Sequence, residues 1–300
     1  MKSLKFVVAI LAAATMSFAA HAANWKAAGP WAADYGDDYC DLGRVFTDGK
    51  NQLTFMIERT QPGPFLRLML VGEGVRPFRG AAQWGVKFGP TGQNWKAPIL
   101  ISKTGDGKQY FDLGPTMMSP PAPGAPGAPP AFKPYKKDEE RTAAKALSSF
   151  EIGEGLAEPI ALETGSLEAP IGALQNCVTD LIASWGLDAK RHETLTKPAA
   201  PQGPASAWVP SGTIPFTEFQ KVLGGKNTFR VMVDETGKPT ACVVQRATVT
   251  EAVNKAACDA IMKNAKFTPA TDAAGQAMPS YWITEVFGLM PPFGGGGGRR

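Results

Sequence analysis

The sequence predicts an α+β protein with two folded parts: a β-rich N-terminal domain closed by one C-terminal helix, and a small C-terminal domain with the element order β-β-α-β. Three observations lead to this prediction. Short apolar segments separated by Gly- and Pro-containing turns fill residues 24–114. A single amphipathic helix pattern follows at Leu174–Leu187. A Pro/Gly-rich stretch at 197–212 then precedes a strand–strand–helix–strand pattern.

The first 22 residues have the composition of an export signal. Lys2 and Lys5 form a positively charged start, Phe6–Ala20 is a continuous small or apolar run, and Ala20-His21-Ala22 is a small-x-small cleavage site. The run is about 15 residues long, whereas a helix needs about 20 to span a bilayer. We therefore expect cleavage between Ala22 and Ala23, and a mature protein in the periplasm without stable membrane insertion. A signal retained as a membrane anchor is the alternative.

The net charge and the length of the chain further limit the possible partners and the number of domains. The formal net charge of the chain is +4, and it falls to +2 when Lys2 and Lys5 leave with the signal. Nucleic-acid-binding domains usually carry a concentrated basic face, so we expect no nucleic-acid partner. The remaining residues, roughly 280, suffice for two domains with modest cores.

The cysteine content predicts disulfide bonds. An exported chain with four cysteines has an even number in a compartment that permits oxidation. Cys40 and Cys177 precede the stretch 197–212, and Cys242 and Cys258 follow it. Of the three possible pairings, one bond in each half is the simplest, and buried free thiols are the alternative.

The N-terminal domain is expected to span residues 23–196. Its strand candidates are 53–59, 65–71, 82–88, 99–102, 109–113, 150–152 and 160–163, with a charged helix candidate at 137–147. The best helix is 174–187, whose apolar residues recur at helical spacing and which Gly186 is well placed to end. Because Cys177 lies on that apolar stripe, a bond to Cys40 would join the helix to the first β segment.

Three segments have the composition of loops or linkers. The Pro-rich stretch 115–134 has too few amide donors for a helix or a sheet, so we expect an extended excursion within the N-terminal domain. The stretch 197–212 is interpreted as the linker between the domains. The Gly-rich tail 291–300 has too little apolar surface to fold.

The C-terminal domain, residues 213–290, begins with a predicted hairpin. Phe229, Val231 and Val233 alternate with polar or less apolar residues, as in a strand with one buried face. The segment Asp234–Gly237 supplies a turn, and the chain returns in a second strand at 241–246.

A helix and a last strand follow this hairpin. Thr248 and Glu251 have the spacing of a capping box at the start of a helix. Small and apolar residues then recur at helical spacing, and the segment Phe267–Ala270 ends the helix with a proline. Ser280–Phe287 is the last strand candidate.

This pattern resembles the C-terminal domain of TonB-type energy transducers of Gram-negative bacteria, over residues ~212–288. The family pattern is a strand ending in D-x-x-G, a second strand, a helix and then F-x-P-A. Here Val231–Gly237, Cys242–Val244 and Phe267–Ala270 match it in order and spacing. The Tyr-Pro that usually precedes the first strand is absent, and the usual Ser-Ser-Gly after the second strand is replaced by 247–249.

The resemblance implies a partner-binding strand. Such a domain offers its last strand, around Tyr281, Ile283, Glu285 and Phe287, to an extended peptide segment of another envelope or outer-membrane protein. In this β-augmentation main-chain hydrogen bonds give affinity and alternate side chains give selectivity. With the signal removed, the resemblance implies a protein-binding module associated with transmembrane transport. With the signal retained, it implies a membrane-anchored energy transducer.

The sequence predicts no catalytic residues, no cofactor and no metal site. The mature chain keeps one histidine, His192, which stands in a polar stretch and is expected to be exposed, and no G-x-S-x-G or C-x-x-C is present. The cluster Asp34, Asp37, Asp38 and Asp41 lacks the D-x-D-x-D-G pattern of a calcium loop and is expected to be a solvated acidic surface. A hydrolase with its site in the N-terminal domain is the second alternative, and the oligomeric state is left open.

Overall fold

The computed structural model describes residues 22–118, 135–215, 217–218, 226–246 and 250–287. Over these residues the chain is rich in β-strands and contains four α-helices, which confirms the predicted β-rich domain with added helices. The signal residues 1–21, most of the Pro-rich stretch (119–134) and the Gly-rich tail (291–300) lie outside the described residues.

The N-terminal half forms one large sheet. Its strands are β1 (Ala23–Ala27), β2 (Ala32–Tyr35), β3 (Cys40–Thr47), β4 (Gln52–Arg59), β5 (Leu66–Gly72), β6 (Gln83–Gly89), β7 (Trp95–Pro98), β8 (Leu100–Lys103), β9 (Gln109–Thr116), β10 (Ser149–Glu154) and β11 (Ile160–Leu162). Its helices are α1 (Lys137–Lys145), α2 (Glu168–Ser184) and α3 (Ala189–Glu193).

The two ends of this sheet meet in one stretch of chain. The strand order is β7-β6-β10-β11-β1-β3-β4-β5-β9-β8, with β2 also paired to β3. The end strands β7 and β8 are separated only by Ile99, so residues 95–103 pair with β6 through their first part and with β9 through their second. The sheet therefore curls until it is nearly closed around its apolar side chains.

The interior of the curled sheet holds the main core. Leu53, Phe55 and Ile57 alternate along β4 and are fully buried, as expected for a strand with one inward face. The ring of Phe55 stacks on Phe150 of β10 with centroids 4.6 Å apart. This contact joins strands from opposite parts of the chain across the interior.

Helix α2 closes this core, and a disulfide fixes it. The apolar stripe predicted at 174–187 is buried, and the helix begins earlier than predicted, at Glu168, because Ile171 extends the same stripe. Gly186, which follows the helix, has φ +77° and adopts the left-handed conformation typical of a helix end. The structure confirms the Cys40–Cys177 bond, which joins α2 to the start of β3.

The C-terminal half contains a small sheet covered by one helix. Its elements are β12 (Ala200–Pro201), β13 (Lys226–Val233), β14 (Pro239–Arg246), α4 (Glu251–Asn264), β15 (Phe267–Thr268), β16 (Ala270–Thr271), β17 (Ala277–Met278) and β18 (Ser280–Phe287). The main sheet has the order β14-β13-β18, and a Cys242–Cys258 bond joins β14 to α4 as predicted. Thr250 precedes the first helical residue without a side-chain capping bond, and Thr248 of the predicted capping box lies outside the described residues.

The segment 197–212 is not a free linker. Ala199 is fully buried and Trp208 is 3% exposed in the core of the C-terminal half. Strand β12 pairs with β15, and the Trp208 ring lies 5.1 Å from the Phe267 ring. The segment is therefore attached to the C-terminal core through the buried side chains of Ala199 and Trp208.

None of the helices within the described ranges has the length and apolar content needed to cross a bilayer.

Candidate functional site

Strand β18 lies at the edge of the C-terminal sheet. It pairs with β13 along its whole length, and among the described residues no strand pairs with its other side. The predicted binding residues Tyr281 and Ile283 lie opposite Met232 and Arg230, so they belong to the face that points away from the core. Glu285 and Phe287 continue the same row in the backbone, but their side chains lie outside the described part of the chain.

The side chain of Tyr281 is already engaged within this chain. Its ring meets the Trp185 ring edge-on, with centroids 5.2 Å apart, and stacks near His192 at 6.0 Å. Burial raises the pKa of the Tyr281 phenol well above its usual value of 10. The expectation that Tyr281 offers its side chain to a partner therefore needs correction, because the N-terminal half occupies that position.

Arg230 anchors the same contact from β13. Its guanidinium carbon lies 4.0 Å from the Trp185 ring centroid, a cation–π geometry, and its Nη2 donates to Asp38 Oδ1 at 2.6 Å. The carbonyl of Asp38 also accepts a hydrogen bond from Gln245 on β14, at 3.1 Å. Burial lowers the pKa of the Arg230 guanidinium, although Asp38 opposes this effect. Asp38 was expected in a solvated acidic surface and instead pairs with a buried cation.

His192 is buried rather than exposed. The residue is only 7% exposed, because α3 packs against the start of β18. Its Nδ1 lies 2.8 Å from the Asp188 carbonyl oxygen and its Nε2 lies 3.1 Å from Ser280 Oγ. A carbonyl oxygen only accepts, so Nδ1 carries a proton, and in the neutral ring Nε2 accepts from the serine hydroxyl. Burial favours this neutral form of the imidazole, which lies between the two halves.

We expect stability to fall on acidification because of His192. Burial lowers the pKa of His192 below 6.5, so the unfolded chain binds a proton more readily than the folded chain. The contribution of the neutral ring is therefore complete above about pH 6.5 and is lost as the pH falls through the folded pKa. Urea unfolding at several pH values between 5 and 8 measures this slope. His192→Asn should flatten it, and a slope that persists unchanged in the variant would assign the effect to other groups.

The two motif segments of the C-terminal half touch each other. Asp234 Oδ1 accepts from the backbone N–H of Thr236 and of Lys238, both at 2.9 Å, and forms the D-x-x-G turn. Gly237 has φ +86°, and a Cβ there would lie 2.1 Å from the Phe267 carbonyl oxygen. The Phe267 N–H in turn donates to the Gly237 carbonyl at 3.1 Å. A glycine is thus needed at position 237, where the turn packs on the F-x-P-A segment.

A second polar cluster, which was not predicted from the sequence, lies inside the N-terminal half. Arg59, fully buried at the end of β4, forms an ion pair of 2.6 Å with Glu140 of α1. The hydroxyl of Tyr135 donates to Glu140, and Gln175 of α2 donates to Glu140 Oε2 at 2.9 Å. Burial raises the pKa of Tyr135 to about 12. The cluster joins both helices to the sheet, which is a structural role.

The described residues provide little that resembles a small-molecule site. Within them, no three His, Cys, Asp or Glu side chains are arranged to hold a metal ion. An open depression of about 320 Å³ on the outer surface of the N-terminal sheet is lined by Lys50, Asn51, Glu73 and Lys108, among others. Most of its polar side chains are exposed to solvent.

The residues that connect the N-terminal and C-terminal halves were not predicted from the sequence to have this role. Trp185, His192 and Arg230 each had a local pattern: the first on a helix stripe, the second in a polar stretch, the third outward on a strand. None of these patterns indicates a partner far away in the chain. Comparisons of the chain with protein-family models, with curated proteins and with solved structures found no match.

Proposed function

We propose that this chain is an exported protein of the cell envelope, located in the periplasm, that binds an extended peptide segment of another envelope or outer-membrane protein along the edge strand β18. The observation that carries the proposal is that β18 has β13 on one side and no strand on the other among the described residues. An edge strand presents backbone N–H and C=O groups that an incoming strand can pair with.

Three further observations support this proposal. The β13–β14 hairpin, α4 and β18 follow one another in the order that the TonB resemblance implies. The D-x-x-G and F-x-P-A segments are in contact, so the matched motifs have a common structural reason. The two disulfides are compatible with an oxidising extracellular or periplasmic environment.

The position of strand β1 is also compatible with the proposed cleavage. Strand β1 begins at Ala23, and its first N–H donates to the Pro159 carbonyl oxygen at 2.9 Å. Cleavage between Ala22 and Ala23 would therefore leave every strand of the sheet intact. Within this proposal the C-terminal half is a binding module of a soluble envelope protein rather than a force-transmitting transducer.

The proposal is tested by blocking the free edge without breaking the sheet. In an edge strand, alternate residues direct their N–H outward, so proline at one of the neighbouring positions 283 and 284 removes an outward donor and leaves the ladder to β13 intact. The chain from residue 23, as wild type and as Ile283→Pro and Thr284→Pro, serves as bait in envelope extracts. Thermal melting identifies the proline variant that keeps its fold.

We expect the wild-type bait to capture a specific envelope protein, and the folded proline variant to lose it. Hydrogen exchange on the complex should show new protection at the amides of 282–287. Equal capture by the wild type and the folded proline variant would contradict binding at this edge.

A further inference from the structure

The two faces of β18 have different surroundings. Trp282 and Thr284 lie opposite Val231 and Phe229, which are buried in the C-terminal core, so their side chains belong to the helix-covered face. Tyr281 and Ile283 lie on the opposite face, which turns toward the N-terminal half. A strand that pairs with β18 must also place its alternate side chains on these two faces.

The face that carries Tyr281 and Ile283 is contacted by the N-terminal half at Tyr281 and at Arg230. Trp185 packs on both Tyr281 and Arg230, and Arg230 is the direct cross-strand neighbour of Ile283. His192 contacts Ser280 and Tyr281, two successive residues whose side chains point to opposite faces, so its ring lies across the start of the strand. A partner side chain on this face would have to compete with contacts that are already made.

The helix-covered face remains partly open at β18. Helix α4 packs mainly against β14, on the far side of the sheet from β18. Trp282 is only half-buried at the margin of the core, and its neighbour along this face, Thr284, is also half-buried. A half-buried indole offers a flat apolar surface beside the free backbone edge.

Resting on the proposed function, we infer that the bound peptide is selected through the side chains that it places on the helix-covered face, beside Trp282 and Thr284. The peptide that fits is an extended segment with an apolar, β-branched or aromatic side chain at each alternate position facing Trp282, because such cross-strand pairs are the favourable ones. Tyr281 then contributes only its backbone, because its side chain contacts Trp185 and His192 of the N-terminal half.

The test uses a photo-reactive residue placed on either face of the same strand. Benzoylphenylalanine is introduced at position 284 or at position 283 of the full-length chain, and irradiated cells are analysed for adducts. We expect a partner adduct from position 284 at least about fivefold stronger than from position 283. The 283 probe should instead form an internal cross-link, visible as peptides joined to the region around Trp185.

Each outcome separates the two proposals. A partner adduct that is stronger from 283 than from 284 overturns this inference and leaves edge binding intact. Adducts from neither position overturn edge binding and the inference with it.

A second pair of variants tests the inference without the photo-reactive residue, whose insertion could disturb the fold. In a bait with the melting temperature of the wild type, Trp282→Phe should weaken capture severalfold, and Trp282→Lys should abolish it. Undiminished capture by folded Trp282→Lys would also overturn the inference.

Discussion

Replacing Glu140 with glutamine should lower the free energy of unfolding by about 3–5 kcal/mol. The side chain of Arg59 is fully buried, and Glu140 is its ion-pair partner at 2.6 Å. Without the carboxylate a guanidinium that cannot lose its proton stays buried without its ion-pair partner, and the Nε of Arg59 already has no hydrogen-bond partner among the described residues. Equilibrium unfolding in urea, followed by far-UV circular dichroism, measures the change.

The neighbouring residue on the same helix provides the control. Glu139 pairs with Lys136 at 2.7 Å, but both side chains are about two-thirds exposed or more. Surface ion pairs contribute about 0–1 kcal/mol, so Glu139→Gln should change the stability by less than about 1 kcal/mol. If both glutamine variants have the same stability, the burial of the Arg59 pair does not govern the stability of the N-terminal half.

Trp208→Ala should destabilise the C-terminal half by about 3–5 kcal/mol, the range for truncating a buried aromatic side chain. Trp208 is 3% exposed, contacts Phe267, and its carbonyl accepts a hydrogen bond of 2.9 Å from Asn264 at the end of α4. Thermal melting followed by far-UV circular dichroism avoids the lost tryptophan signal. A fragment that starts at residue 213 lacks this side chain altogether and should fold less well than one that starts at residue 194.

A nearby exposed position tests whether the effect is specific to the core. Ser211 lies three residues further along the same segment and is exposed, so Ser211→Ala should stay within about 0.5 kcal/mol of the wild type. A mild effect at Trp208, similar to that at Ser211, would restore the interpretation of 197–212 as an independent linker.

The strands with strong apolar patterns could be predicted from the sequence. The candidates at 53–59 and 65–71 correspond to β4 and β5, and the stripe at 174–187 lies within α2 and its end. In these segments apolar side chains recur every two residues, as in a strand, or every 3.6 residues, as in a helix, so the local sequence indicates the element.

The elements that the sequence did not predict depend on distant partners. Strand β3 contains Asp41 and Gly43, residue types that are depleted in strands, and it is held by pairing with β4 over eight consecutive positions. Strand β7 is only four residues long, and its pairing with β6 defines it. Both strands form because they pair with a neighbouring strand, although their own sequences do not indicate a strand.

For the candidate site, the sequence predicted the strand but not which of its side chains are accessible. The resemblance to the TonB C-terminal domain implied that the last strand binds a partner, and in the structure Tyr281–Phe287 belongs to a strand that, among the described residues, pairs with β13 alone. Which of its side chains are free depends on Trp185, Asp38 and His192, which come from elements about 90 or more residues away in the chain. The apolar Trp208 within 197–212 was the one local sign that this segment is buried.

If the chain is exported as proposed, the pairing of its cysteines has a consequence for how it matures. A chain that crosses the membrane N-terminus first presents Cys40, then Cys177, and only later Cys242 and Cys258. The bonds in the structure join the first to the second and the third to the fourth. Oxidation in order of emergence therefore gives the native pairing directly, with no need for an isomerase to reshuffle it. Under the proposed export, it would also join α2 to β3, and with them position Trp185 and Asp38, before translocation delivers the C-terminal sheet that contacts them.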